Sequence, residues 1–282
     1  MGKMTRDVCV LLSKYGECRY LEETLESLRR QTGQPALCIR CDDEAESGHL
    51  GIKGSFRHLL SQVPDACSYI LFCDQDDVWF PRKIERLLSA MKKAEMENAG
   101  PVLVHGDAFV ADEKLRLIKR RFISKWARHD DFFGTLLFNK VQGASMLINR
   151  PLLERIRDLP EEGPLYDRYI HLVAEIIGRR VFIDRPLMYY RQHRNNAIGA
   201  FGRNPRVRFE FLNEDERALV MGNEYVIRRF AADLSAQKRK VVDNYRVFMT
   251  TRNPFRRLEL IIRYLWPYPG AMVKKFVKIF FK

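Results

Sequence analysis

Apolar and polar positions alternate in blocks along the first 110 residues. "DVCVLLS" (7–13) is an unbroken apolar run, as a strand buried on both faces requires. In "RYLEETLESLRRQT" (19–32), Leu21, Leu25 and Leu28 recur at helical spacing and the pattern stops near Gly33. A second strand is predicted over 35–43, a helical stretch over 55–63, and a strand over 68–74. A helix over 81–96 follows, with Pro81 in its first turn, and then a strand over 101–110. Strands alternating with helices predict βαβ units and a mainly parallel sheet with helices on both faces. Such a sheet binds ligands at the carboxyl ends of its strands. Beyond Gly199 the pattern is helical through Met249, and 251–282 mixes bulky apolar residues with Arg and Lys.

Two strands end in acids on that ligand edge. Asp42 and Asp43 close the second strand; Asp74, Asp76 and Asp77 follow the apolar run of "YILFCDQDDVWFP". Crowded carboxylates repel, and a divalent cation removes the penalty. Mg²⁺ or Mn²⁺ takes oxygen ligands, commonly one or two carboxylates completed by substrate phosphates. The D-x-D spacing puts Asp74 and Asp76 on one side of an extended chain. The competing reading is an acidic turn that caps the helix after Pro81.

Composition narrows the class. The 282 residues, 46% hydrophobic and 30% charged, suit a folded chain of one large domain, or one domain with an appendage. No cleavable leader is read in "MGKMTRDVCVLLSKYGE", and no run of 18 apolar residues occurs. The six cysteines lie in the first 73 residues and include Cys38-x-x-Cys41. Residues three apart on a strand face opposite ways, and no second pair completes a zinc site, so small buried hydrophobes are favoured over a metal or redox motif. Reduced thiols fit a cytoplasmic location.

The motifs in order resemble a family 2 glycosyltransferase of the GT-A fold. They are "VCVLLSKYGECRYLEETLESLRRQT", "CIRCDDEAESG", "YILFCDQDDVWFPRKIERL", "VQGASMLINRPLL" and "YDRYIHLVAEIIGRRVFIDRPLMYYRQHRNNAIG", spanning residues 7–199. The D-Q-D-D-V-W and Y-R-Q-H-x-N-N forms are similar to the rhamnosyltransferase-like branch that builds bacterial surface polysaccharides. The resemblance implies a GT-A, Rossmann-like α/β fold. A catalytic domain would cover 1–200, its nucleotide-sugar half 1–110 and its acceptor half 111–200, and 201–282 would form a helical, basic extension. It implies that Ser13, Lys14, Tyr15, Asp43 and Asp74 bind the nucleotide-sugar donor. Arg191 would close over the diphosphate, Asp76 and His193 would hold Mn²⁺ or Mg²⁺, and Asp167 would be the catalytic base. Asp167 also reads as the cap of a helix over 168–178, and both roles can coexist. Trp79 and Trp126 read as sugar-stacking or as core. The first strand runs into Ser-Lys-Tyr-Gly and the second acidic pair into Glu-Ala-Glu-Ser, both departures from the family's usual residues. The Gln-x-x-Arg-Trp of processive synthases is absent, so the resemblance implies single-sugar, inverting transfer to a glycan or lipid-linked hydroxyl.

The net charge of +13 is concentrated at the end. From Lys238 onward, twelve Lys or Arg face only Asp243 and Glu259, a net +10. Trp266, Tyr268, Phe276, Phe280 and Phe281 beside Lys274, Lys275, Lys278 and Lys282 suit a helix lying on an anionic membrane surface at the inner face of the plasma membrane. The equal reading is a helical tail packed on the catalytic part. On the membrane reading, a chain cut after Thr251 keeps its fold. Two other readings fit less well. A sugar-phosphate nucleotidyltransferase wants a Gly-rich triphosphate loop that "LLSKYGECRY" lacks. A nucleic-acid or other polyanion binder leaves the acidic edge unexplained, since bare acids repel phosphates.

Overall fold

The computed structural model describes residues 3–43, 49–123, 131–193 and 214–265. In chain order the elements are β1 (Lys3–Lys14), α1 (Leu21–Arg29), β2 (Gly33–Asp42), α2 (Gly51–Ser61), β3 (Tyr69–Asp74), β4 (Val78–Trp79), α3 (Lys83–Glu97), β5 (Val102–Ala111), β6 (Leu117–Lys119), α4 (Phe132–Leu137), β7 (Met146–Asn149), α5 (Arg150–Ile156), α6 (Tyr166–Ile177), β8 (Arg179–Arg191), α7 (Glu214–Arg229), α8 (Ala236–Thr250) and α9 (Pro254–Leu265).

One sheet carries the fold, in the order β2-β1-β3-β7-β5-β8-β4, with β6 against β5. β1 runs parallel to both β2 and β3, and β5 parallel to β8. The short β7 enters antiparallel between β3 and β5, so the sheet is mixed. Side chains leave β1 alternately. Cys9 and Leu11 join one core with Phe56, Phe72, Leu136 and Tyr169. Val8, Val10 and Leu12 join the other, with Leu28, Leu71, Trp79, Leu87 and Met188. This two-sided burial is why β1 reads as continuous rather than alternating. Cys41 belongs to the first core while Cys38 packs against the second, so the C-x-x-C pair is split by the sheet, and all six cysteines are free thiols.

Three features aim residues at the carboxyl end of β3. Ser13 lies beside Asp74 in the β1/β3 register. β4 pairs antiparallel with the end of β8, Val78 against Tyr189 and Trp79 against Met188. The turn after Asp74 is therefore stitched beside Arg191 and His193. Third, α6 begins under the same edge. Tyr166 stacks on Phe56 with centroids 4.0 Å apart and lies 5.7 Å from Phe72. A Cβ at Gly143 would stand 1.8 Å from the Tyr166 hydroxyl, so only glycine lets α6 seat there.

The C-terminal helices belong to the same core. Val226, Tyr245, Phe248, Leu260, Ile261 and Leu265 are buried in the first cluster, and Tyr264 stacks on Phe133 at 4.2 Å. The boundary expected at residue 200 does not divide the core. The expectation that a chain cut after Thr251 keeps its fold is corrected, because Leu260, Ile261 and Leu265 are fully buried. Trp266 and the aromatic and lysine residues after it lie outside the described residues, as does Trp126. No helix among the described residues is long and apolar enough to cross a membrane.

Candidate active site

The loop from Tyr15 to Tyr20, Gln75, Glu113 and His193 enclose a cleft of about 800 Å³ at the carboxyl edge of β1 and β3. Gly16, at φ 59°, turns the chain out of β1 in the left-handed region. Gln75, the second residue of D-Q-D-D, then clamps that loop. It accepts from the Tyr15 N–H at 2.8 Å and donates to the Tyr15 carbonyl at 3.0 Å. Its own carbonyl accepts the Thr24 hydroxyl at 2.8 Å, fixing α1 to the acidic turn. Nothing in the sequence reading assigned Gln75 a role; its place inside a quoted motif was the available signal.

Asp76 and His193 meet across this edge, 117 residues apart, with Oδ2 and Nε2 separated by 2.7 Å. Both side chains are largely buried, and Tyr20 lies against the His193 ring at 5.1 Å. Arg191 is almost wholly buried beneath them. It donates to the carbonyls of Asp76 (2.9 Å) and Glu113, pairs with Glu23, and lies 4.3 Å from the Tyr20 ring centroid. Its guanidinium is thus committed to holding the turn. Asp77 is fully buried and accepts the Arg191 backbone N–H at 3.3 Å. Beneath the acids, Lys83 is also fully buried. It donates to the Ala144 carbonyl at 2.6 Å and lies 3.5 Å from the centroid of the Trp79 ring. Burial pushes its ammonium down to about 7, against the fields of Cys73, Asp77 and Asp74. Trp79 is therefore core, not a sugar platform.

Asp74 lies within the field of Asp167. Burial first, then the charges of Asp76 and Asp167, push the Asp74 carboxyl up to about 7. Asp167 is not the cap of α6: that position is Leu165, and Asp167 lies inside the first turn, where an acid is favoured by the helix dipole. Its Oδ2 accepts from the Asn139 amide at 2.9 Å and its Oδ1 from the Arg168 N–H at 2.7 Å. Burial raises its carboxyl, and these two donors oppose the rise.

The residues expected around the nucleotide lie at the mouths of β1 and β2. Lys14 pairs with Asp42. Asp43 is buried, its carboxylate 3.1 Å from the Gly51 N–H and its own N–H on the Lys14 carbonyl at 2.9 Å. Tyr15 is exposed, its ring 6.0 Å from that of His49. Among the described residues no group of three or more His, Cys, Asp or Glu surrounds a common point. The Asp76–His193 pair is a two-ligand oxygen and nitrogen set, which fits a cation completed by substrate phosphates rather than a closed protein cage.

No family model matches the chain. Among curated proteins it is similar to the dTDP-rhamnosyl transferase RfbG of Shigella flexneri. The two are 24% identical over 155 residues, covering 53% of this chain and 52% of that one. The chain thus spans about half the length of the curated relative it matches. Among solved structures it is similar to residues 1–349 of S. aureus TarS in complex with UDP-GlcNAc. The TM-score is 0.53 at 13% identity, covering 97% of this chain and 89% of that one. The UDP complex of the same TarS fragment gives 0.51 at 14% identity, covering 97% and 88%.

The fold is that of the GT-A-like glycosyltransferases. The motifs read from the sequence resemble those of family 2 glycosyltransferases, and the curated protein the chain is similar to is a dTDP-rhamnosyl transferase. In this GT-A-like frame, the acids that end β2 and β3 share one edge with the start of α6 and the end of β8.

Proposed function

We propose that the chain is an inverting, non-processive glycosyltransferase that moves one sugar from a nucleoside-diphosphate sugar to a hydroxyl of a glycan or lipid-linked acceptor. One observation carries the reading: Asp74, Asp76, Asp167 and His193, drawn from three distant segments, converge on one edge of the sheet. The likeness to a dTDP-rhamnosyl transferase favours dTDP-rhamnose as donor, with UDP-sugars the next to test. Asp76 and His193 would hold Mn²⁺ or Mg²⁺. When bound, the cation supplies charge neutralisation for the departing diphosphate. Arg191, through the Asp76 carbonyl, keeps that carboxylate at the cleft. Tyr15 offers an exposed ring to the base, and Asp74 and Ser13, neighbours across the β1/β3 register, would meet the ribose. Asp167 takes the proton of the acceptor hydroxyl as its oxygen attacks the anomeric carbon. One displacement with one base inverts that centre.

We also assign the chain to the cytoplasmic face of an anionic membrane. Phe255 and Ile262, one heptad apart on α9, are exposed beside Arg252, Arg256 and Arg263, an apolar and basic face of the kind that lies in a headgroup layer. The catalytic reading is tested with Asp167→Asn. Turnover of dTDP-rhamnose or UDP-GlcNAc should fall by roughly 10²–10⁴-fold, with nucleoside-diphosphate affinity unchanged. Turnover at the wild-type rate would remove Asp167 from the chemistry.

A further inference from the structure

Behind Asp167 a polar chain runs from the exposed Asn139 into the core at His171, and the proposed reaction does not use it. The Asn139 amide donates to Asp167 Oδ2 at 2.9 Å, and its Oδ1 lies 3.3 Å from His171 Nδ1. His171 is fully buried one turn further along α6, with its Nε2 3.7 Å from Glu175 Oε1. That oxygen already accepts from Arg180 Nε at 2.6 Å and from the Thr135 hydroxyl at 3.3 Å. Arg180 in turn reaches His105 Nε2 at 3.2 Å across β5.

The hydrogen-bond roles in this chain follow from Asp167. An ionised carboxylate only accepts, so the Asn139 NH₂ must face Asp167 and its oxygen must face His171. His171 must then carry its proton on Nδ1, because a bare Nδ1 would invite the amide to flip. Nε2 is then left without a proton, 3.7 Å from a Glu175 oxygen that keeps its donors from Arg180 and Thr135; an Nε2–H would point at that oxygen instead. Burial pushes His171 down to about 4, so the ring is neutral and one tautomer must be chosen. An amide turned the wrong way would put oxygen against carboxylate, and Asp167 would lose a donor that holds its Oδ2 in place.

We infer that Asn139 and His171 are positioning residues: the His171 Nδ1–H orients the Asn139 amide, and the amide holds the Asp167 carboxylate in the geometry that meets the acceptor hydroxyl. The inference rests on the reading of Asp167 as base. Neither residue touches the cleft, and both act through Asp167.

Two measurements test it. The first needs no substrate. The chain has six histidines, so two-bond ¹H–¹⁵N spectra of ¹⁵N-histidine-labelled protein are tractable, with His171 assigned by its loss in His171→Asn. The Nδ1–H tautomer is expected in the wild type; the Nε2–H tautomer would overturn the proposal. The second measures nucleoside-diphosphate release from dTDP-rhamnose and UDP-GlcNAc. His171→Leu and Asn139→Leu should lower kcat by about 10–10²-fold with donor KM unchanged, the scale of a misplaced catalytic group. His171→Asn keeps a donor where Nδ1–H stood and should stay within about threefold of wild type. A role in packing alone would penalise His171→Asn and His171→Leu alike. Wild-type kcat in His171→Leu beside an inactive Asp167→Asn would overturn the positioning role while leaving the base intact. Wild-type turnover in Asp167→Asn itself would instead remove the base on which it rests.

Discussion

At the residue scale, the acidic motif divides its labour. Asp76 meets His193 at the cleft's edge, Asp77 turns inward to the Arg191 backbone, and burial, then the charges of Asp76 and Asp167, resist ionisation of Asp74 against the pull of Lys83. Asp74, Asp76 and Asp167 could be nominated from sequence because acids at strand ends and helix starts stand out against apolar runs. Asn139 and Lys83 could not. A lone Asn in a loop has no pattern, and a Lys two residues after Pro81 looks like an ordinary solvated helix charge. Only the fold reveals that α3 starts at Lys83 and drives that side chain under the sheet. The buried histidine gives a residue-scale prediction. His171 is pushed from its ordinary 6.5 down to about 4, so the unfolded chain binds its proton first as the pH falls. Its contribution to stability is full above about pH 6.5 and is lost as the pH drops toward 4, on the order of 3 kcal/mol in all. Urea midpoints from pH 7.5 to 4.5 should fall less steeply in His171→Asn than in wild type; parallel slopes would place that proton elsewhere.

At the element scale, the first half of the chain was legible because β1, β3 and β5 are buried on both faces and the helices between them are amphipathic. Boundaries moved by a few residues: the helix read from Pro81 begins at Lys83, and that read over 168–178 runs from Tyr166 to Ile177. β4 and β7, of two and four residues, carry no periodicity of their own and exist through their partners on β8, β3 and β5. The antiparallel insertion of β7 was therefore not readable, and neither was the seat it makes for α6 through Gly143. That seat predicts an outcome. Gly143→Ala forces its new methyl group into the Tyr166 hydroxyl, which is itself pinned between Phe56 and Phe72. It should destabilise the chain by about 1–3 kcal/mol, the usual cost of overpacking, and cut turnover by displacing Asp167. Equal urea midpoints and rates for Gly143→Ala and wild type would show that α6 tolerates another seat.

At the scale of the whole molecule, composition left a membrane-seeking tail and a tail packed on the catalytic part as equal readings, and the core takes in the chain as far as Leu265. Charge counting sees the exposed Arg and Lys of α8 and α9 but not the apolar stripe that buries Leu260, Ile261 and Leu265. Burying those three side chains is worth roughly 5–9 kcal/mol, comparable to the ~5–15 kcal/mol that holds a whole domain together. A chain ending at Thr251 should therefore aggregate or melt far below wild type. A chain ending at Leu265 should remain folded and cleave donor, and keep only the weaker flotation with phosphatidylserine vesicles that α9 supplies. It lacks Lys274, Lys275, Lys278 and Lys282, each worth roughly 1 kcal/mol near an anionic surface before screening. Undiminished flotation of that shorter chain would leave the membrane contact to α9 alone, and its complete loss would take α9 out of it.

The central claim is that Asp76 and His193 form half of a cation site that the donor diphosphate completes. The most direct measurement is the rate of nucleoside-diphosphate release from dTDP-rhamnose and UDP-GlcNAc by wild type and Asp76→Asn, each with Mn²⁺ and with EDTA. The account predicts release by wild type with Mn²⁺ alone, and none by Asp76→Asn under either condition, with both proteins equally folded by circular dichroism. Release at an undiminished rate in EDTA, or by Asp76→Asn, would contradict it.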